Sequence, residues 1–93
     1  MPRWPLRSRP APTRVTLLTR RGCTHCAEVA PMVHRLATEA GVLLDVRDVD
    51  AGPAEQRSRY TDRVPVVLLD GVEHASWDID ERALRRALRR GVA

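Results

Sequence analysis

The sequence predicts an α/β fold in the order βαβαββα, a four-stranded mixed sheet with helices on both faces. Three observations carry this reading. Short β-branched apolar runs alternate with amphipathic stretches of helical period. Asp70-Gly71 stands between the last two strand-like runs and is a two-residue hairpin signal. The first strand–helix–strand unit needs a parallel, right-handed crossover, whereas the hairpin pairs antiparallel, so the sheet must be mixed.

Each element has its own local cause. Residues 1–14 hold Pro2, Pro5, Pro10 and Pro12 among Arg3, Arg7, Arg9 and Arg14. Proline removes donors and fixes φ, so this stretch is expected to be a disordered arm, with the folded domain spanning 15–93. Val15 to Thr19 reads as a buried strand. Gly22 supplies permissive φ in the turn that follows. From Thr24 to Ala40, Val29, Val33, Leu36, Ala37 and Ala40 recur on one helical face, with Met32 beside it and Gly41 as the stop. Pro31 inside this stretch is expected to kink it. Val42 to Val49 is the second strand. Gly52-Pro53 opens a short helix ending near Tyr60, with proline at its first position. Val66 to Leu69 is the third strand, and Val72 to Ser76 returns as a more polar edge. Asp78, three residues before Glu81, is expected to cap the last helix. Ile79, Ala83, Leu84, Ala87 and Leu88 form its apolar face. Arg82, Arg85, Arg86, Arg89 and Arg90 lie mostly opposite, near a C-terminus whose dipole they complement.

Composition narrows the function classes. At 93 residues there is room for one hydrophobic core. With 43% apolar and 30% charged residues and no Phe, Leu, Val and Ala must build it. The longest apolar run, Val64 to Leu69, is broken by Pro65 and falls far short of the roughly 20 residues of a membrane span. All 16 basic residues are Arg, and four of them lie in the arm. The remaining 12 Arg face 12 Asp and Glu, so the domain is formally neutral and nucleic acid is not an expected partner. The arm lacks the apolar core of a signal peptide, which points to the cytoplasm.

The chemistry concentrates in Cys23-Thr24-His25-Cys26. These 2 cysteines are the only ones in the chain, too few for a disulfide-stapled scaffold. They fall where a strand ends and a helix begins. Unpaired N–H groups and the helix dipole there stabilise a thiolate on the first sulfur, and one turn brings the second within reach. Cys23 would attack a substrate disulfide and Cys26 would resolve the mixed disulfide. A zinc site and two inert cysteines are the rival readings; against zinc, His25 is badly placed to complete a tetrahedron and His34 is two turns on. His34 and His74 read as surface or strand residues. Trp77 reads equally as core or as a wall of the site, and Trp4 falls in the arm.

The stretch Thr16-Leu-Leu-Thr-Arg-Arg-Gly-Cys-Thr-His-Cys26, with Val64-Pro65 before the third strand, resembles the thioredoxin superfamily, and within it the small glutaredoxin-like proteins. The resemblance covers about residues 15–90. It implies a thioredoxin-like fold and a dithiol–disulfide oxidoreductase. It also implies a cis Val64–Pro65 peptide beside the cysteines, offering backbone groups to an extended substrate. Arg20 and Asp78 match positions that hold glutathione in that family, so the implied substrate-binding set is Arg20, Thr24, Val64, Pro65 and Asp78. Thr24-His25 replaces a frequent Pro-Tyr, and Ala75-Ser76 stands where the family carries Gly-Gly. Pro31 resembles the kinking proline of thioredoxins, whereas Leu17 stands where they carry a buried acid. His25 before the second cysteine is similar to the C-x-H-C of periplasmic disulfide oxidases, in which an imidazolium would favour the Cys23 thiolate. The implied partners are a disulfide-containing protein or small thiol as substrate and a low-molecular-weight thiol, such as glutathione, or a reductase as electron donor. No metal or organic cofactor is implied, and a monomer is expected. The alternative is a non-enzymatic thioredoxin-fold module that binds a partner or senses redox state.

Overall fold

The computed structural model describes residues 11–90. Its elements are β1 (Arg14–Thr19), α1 (Thr24–Ala40), β2 (Leu43–Asp48), α2 (Ala54–Tyr60), β3 (Val66–Leu69), β4 (Val72–Ser76) and α3 (Glu81–Arg90). The strands form one sheet in the order β2-β1-β3-β4. β1 runs parallel to β2 and antiparallel to β3, and β3 pairs antiparallel with β4. This is the mixed βαβαββα architecture of a thioredoxin fold.

The period-two alternation of the central strands divides the core in two. Val15, Leu17 and Val67 point to one face and pack with Val29, Val33, Leu36 and Ala37 of α1 and Leu84 and Leu88 of α3. Leu18, Val66 and Leu68 point to the other, where Val49, Val64 and Tyr60 at the end of α2 meet them. Leu17, Leu18, Leu36 and Leu84 are essentially fully buried. Each such side chain contributes about 1.5–3 kcal/mol of burial.

Several boundaries differ from those the sequence suggests. β1 begins at Arg14, and Pro12 is buried. The Thr13 N–H and hydroxyl both donate to the Asp70 carboxylate at 3.1 Å, and the Arg14 N–H donates to it at 2.9 Å. Residues ahead of Val15 are therefore tied into the sheet. The rest of the expected arm, with Trp4, lies outside the described residues. Val49 leaves the sheet early and enters a 3₁₀ turn, because the Asp48 side chain accepts the Asp50 N–H at 2.9 Å. Pro53 is the cap of α2 and not its first helical residue. α3 is capped by Asp80, whose carboxylate accepts the N–H groups of Arg82 and Ala83 at 2.9 and 3.3 Å; Asp78 stays in the preceding loop. Pro31 is accommodated within a continuous α1. The hairpin follows its signal, with Asp70 at φ 50° and Gly71 at φ 86°, two positive values in succession.

Candidate active site at the start of the first helix

Gly22, at φ 78°, turns the chain from β1 into α1, and the Cys23 N–H closes that turn on the Arg20 carbonyl at 3.2 Å. Cys23 is the N-cap of α1, with extended backbone, and its sulfur accepts the Cys26 N–H at 3.1 Å. The two cysteines form a disulfide with Cα atoms 5.2 Å apart. Their surroundings are unequal. Cys26 is 3% exposed and packs with Leu18, Val64 and Val66, whereas Cys23 is half-buried at the surface.

Cys23 faces an open groove of about 500 Å³ whose lining includes Arg20, Gly22, Thr24, Ala27 and Ala30. The Arg20 guanidinium lies along this rim but is engaged elsewhere. Its Nε donates to Asp50 at 3.0 Å and an Nη donates to the Thr61 carbonyl at 3.3 Å. The Thr61 hydroxyl and Arg20 both donate to Asp50 and hold its carboxyl below the usual carboxylate range.

Two loops and the first turn of α1 meet at the Trp77 backbone. The Val64–Pro65 peptide is cis, and both residues are buried. The Pro65 carbonyl accepts the Trp77 N–H at 2.7 Å. The Trp77 carbonyl in turn lies 2.7 Å from Nε2 of His25, so that nitrogen is the donor. Nδ1 of His25 sits 3.3 Å from the Glu28 carboxylate, and the imidazole and indole centroids are 4.7 Å apart. Among the described residues His25 makes no hydrogen bond to either sulfur.

Of the residues singled out in the sequence, Cys23, Cys26, Thr24 and Arg20 share one groove. Val64 packs behind Cys26, and His25 is linked to Pro65 through the Trp77 backbone. Asp78 follows Trp77 in the same loop and is exposed. His34 is exposed, and partial burial lowers the pKa of His74. No three His, Cys, Asp or Glu side chains converge as a metal site among the described residues. Sequence reasoning missed Glu28, Asp50 and Thr61 and left Trp77 undecided. The His25–Glu28 spacing of one helical turn was a usable signal for the first. Asp50 and Thr61 lie 30 and 41 residues from Arg20, and only the folded chain joins them.

The glutaredoxin-like domain family (DUF836) matches residues 14–89. Uncharacterized proteins of Mycobacterium tuberculosis and Mycobacterium bovis are each 44% identical over 83 residues, covering 85% of this chain and 86% of theirs. Among solved structures, a protein from Nitrosomonas europaea superposes with a TM-score of 0.63 at 24% identity, over 85% of this chain and 94% of its own. A thioredoxin from Halobacterium salinarum gives a TM-score of 0.62 at 23% identity, over 81% of this chain and 70% of its own. The thioredoxin of Fasciola hepatica gives 0.56 at 28% identity, over 81% and 76%. The family match spans all four strands, all but the end of the last helix, and the dithiol loop, so the chain belongs to the glutaredoxin-like domain family of the thioredoxin superfamily.

Proposed function

We propose that this redox thioredoxin-fold protein is a dithiol–disulfide oxidoreductase. One observation carries the reading: a bonded cysteine pair at a helix start, with Cys23 at the surface and Cys26 3% exposed behind it. In the reduced protein the helix N-terminus favours the Cys23 thiolate. That thiolate attacks one sulfur of a substrate disulfide. The Cys23–substrate bond forms, and the other substrate sulfur leaves as a thiolate that takes a proton. Cys26 then gives up its proton and attacks the Cys23 sulfur, releasing the second substrate thiol and restoring the internal disulfide. Two electrons from a low-molecular-weight thiol or a protein reductase return the pair to the dithiol. Arg20 and Thr24 line the groove at Cys23, Val64, Pro65 and Asp78 complete the proposed substrate-binding set, and the cytoplasm, where such pairs rest reduced, is the compartment this cycle suits.

An insulin-reduction assay with glutathione and thioredoxin-reductase systems tests the reading. The Cys26→Ser variant should accumulate a mixed disulfide through Cys23, and Cys23→Ser should be inert. Alkylation of the reduced protein at mildly acidic pH should label Cys23 first. Equal, slow labelling of both thiols with no insulin reduction would leave a partner-binding module as the better description.

A further inference from the structure

Trp77 has φ 64°, in the left-handed region where glycine is at ease and a bulky side chain is an outlier. Burial of the ring does not account for this, because Trp77 is 58% exposed. The backbone is instead held by its two hydrogen bonds, from Trp77 N–H to the Pro65 carbonyl and from His25 Nε2 to the Trp77 carbonyl, both 2.7 Å. A strained backbone thus carries a large exposed indole against His25, the residue between the two cysteines in sequence. Strain of this kind persists where surrounding contacts over-determine it, and such places concentrate at functional sites. Charges of both signs lie close in the fold: Arg63 donates to the Ser76 hydroxyl at 3.0 Å but is paired with Glu73. Asp78 is the next residue and is exposed, with its carboxylate unpaired among the described residues, and the Glu28 side chain is 69% exposed beside His25.

We propose that Trp77 is a specificity-determining residue whose indole face, flanked by Asp78 and Glu28, receives a cationic side chain next to the cysteine of a peptide disulfide substrate. Tryptophan is the aromatic that best attracts a guanidinium or ammonium over its face, and nearby carboxylates add to that attraction. The inference rests on the oxidoreductase reading above and adds to it the class of substrate.

The test uses the full chain and three mixed-disulfide peptides that differ only in the residue beside cysteine: Arg, Ser or Glu. 2-Hydroxyethyl disulfide serves as a small neutral substrate. The wild type should reduce the Arg peptide with a kcat/KM about five- to tenfold above the Ser peptide, with the Glu peptide below both. Trp77→Gly should bring the Arg-to-Ser ratio to within about twofold. Its melting temperature should not fall, since glycine relieves the backbone at that φ. Asp78→Asn should reduce the same ratio and make it less sensitive to salt. Equal use of the Arg and Ser peptides by the wild type overturns the proposal, as does an Arg preference that survives Trp77→Gly. Reduction of 2-hydroxyethyl disulfide with no turnover of any peptide overturns this proposal alone. Failure with all four substrates overturns the oxidoreductase reading as well.

Discussion

Cys23 and Cys26 lie one helical turn apart, the first half-buried and the second 3% exposed. In the proposed cycle that difference suits Cys23 to attack and Cys26 to resolution. His25 lies between them in sequence but turns its ring away, one nitrogen to Glu28 and the other to the Trp77 carbonyl. Any influence on the Cys23 thiolate is therefore exerted through charge and not through a hydrogen bond. An imidazolium beside the helix start would favour the thiolate, stabilise the dithiol and make the pair more oxidising. His25→Tyr removes the charge, and the reduction potential should become more negative by about 30 mV. Titration against a glutathione buffer measures it, and Cys23 alkylation should slow in the same variant. A potential that rises in the variant would show that charge is not the lever. The role of Trp77 was not legible beforehand, because its strain is imposed by Pro65 and His25, which lie 12 and 52 residues away in the chain.

At the scale of elements, local chemistry was the most readable part of the chain. Asp70-Gly71 marks its hairpin because both positions need positive φ. Gly41, at φ 72°, ends α1 for the same reason. The cap of α3 was misplaced because two acids, Asp78 and Asp80, precede it, and only the folded loop shows which carboxylate meets the N–H groups. Asp70 also closes the sheet at its far end. Burial raises its carboxyl pKa, but the donors of Thr13 and Arg14 outweigh that and hold it below the usual range. A depressed carboxylate contributes stability above its unfolded value of about 4 and loses it as pH falls through the folded value. Asp70→Asn can keep the turn but not the charge. The wild type should melt higher than this variant at pH 7, and the gap should close as the pH is lowered below about 4. Calorimetry across that range checks the sign. In α3, Leu84 is 0% exposed within the cluster shared with α1. Leu84→Ala should cost about 2–5 kcal/mol by denaturant titration. The exposed pairs around it, Arg35–Glu81 and Arg85–Glu39, should each matter far less.

For the whole molecule, the two-sided core follows from the alternation of Val15, Leu17 and Leu18 and of Val66, Val67 and Leu68, because period two sends neighbours to opposite faces, whereas the strand order β2-β1-β3-β4 emerges only in the folded chain. The beginning of the domain was less readable. Pro12 and Arg14 look like the arm that precedes them, yet Arg14 pairs with Leu43 and the donors of Thr13 reach Asp70. A chain starting at Ala11 keeps these contacts, and one starting at Val15 loses them. The second should melt lower than the first, and equal melting temperatures would show that these contacts add nothing. The two layers also bear unequally on the sulfur chemistry. Cys26 is enclosed by Leu18, Val64, Val66 and Tyr60 on the α2 face, although its own helix packs mainly on the other. Folding and reduction therefore form a closed thermodynamic cycle. The difference in unfolding free energy between disulfide and dithiol forms equals the difference in potential between the folded and unfolded pair, about 1.4 kcal/mol for every 30 mV. The apolar layer behind Cys26 is thus an electrochemical component of the protein, and a change of volume at Leu18 or Val66 moves its electron affinity to the extent that it stabilises one redox form over the other.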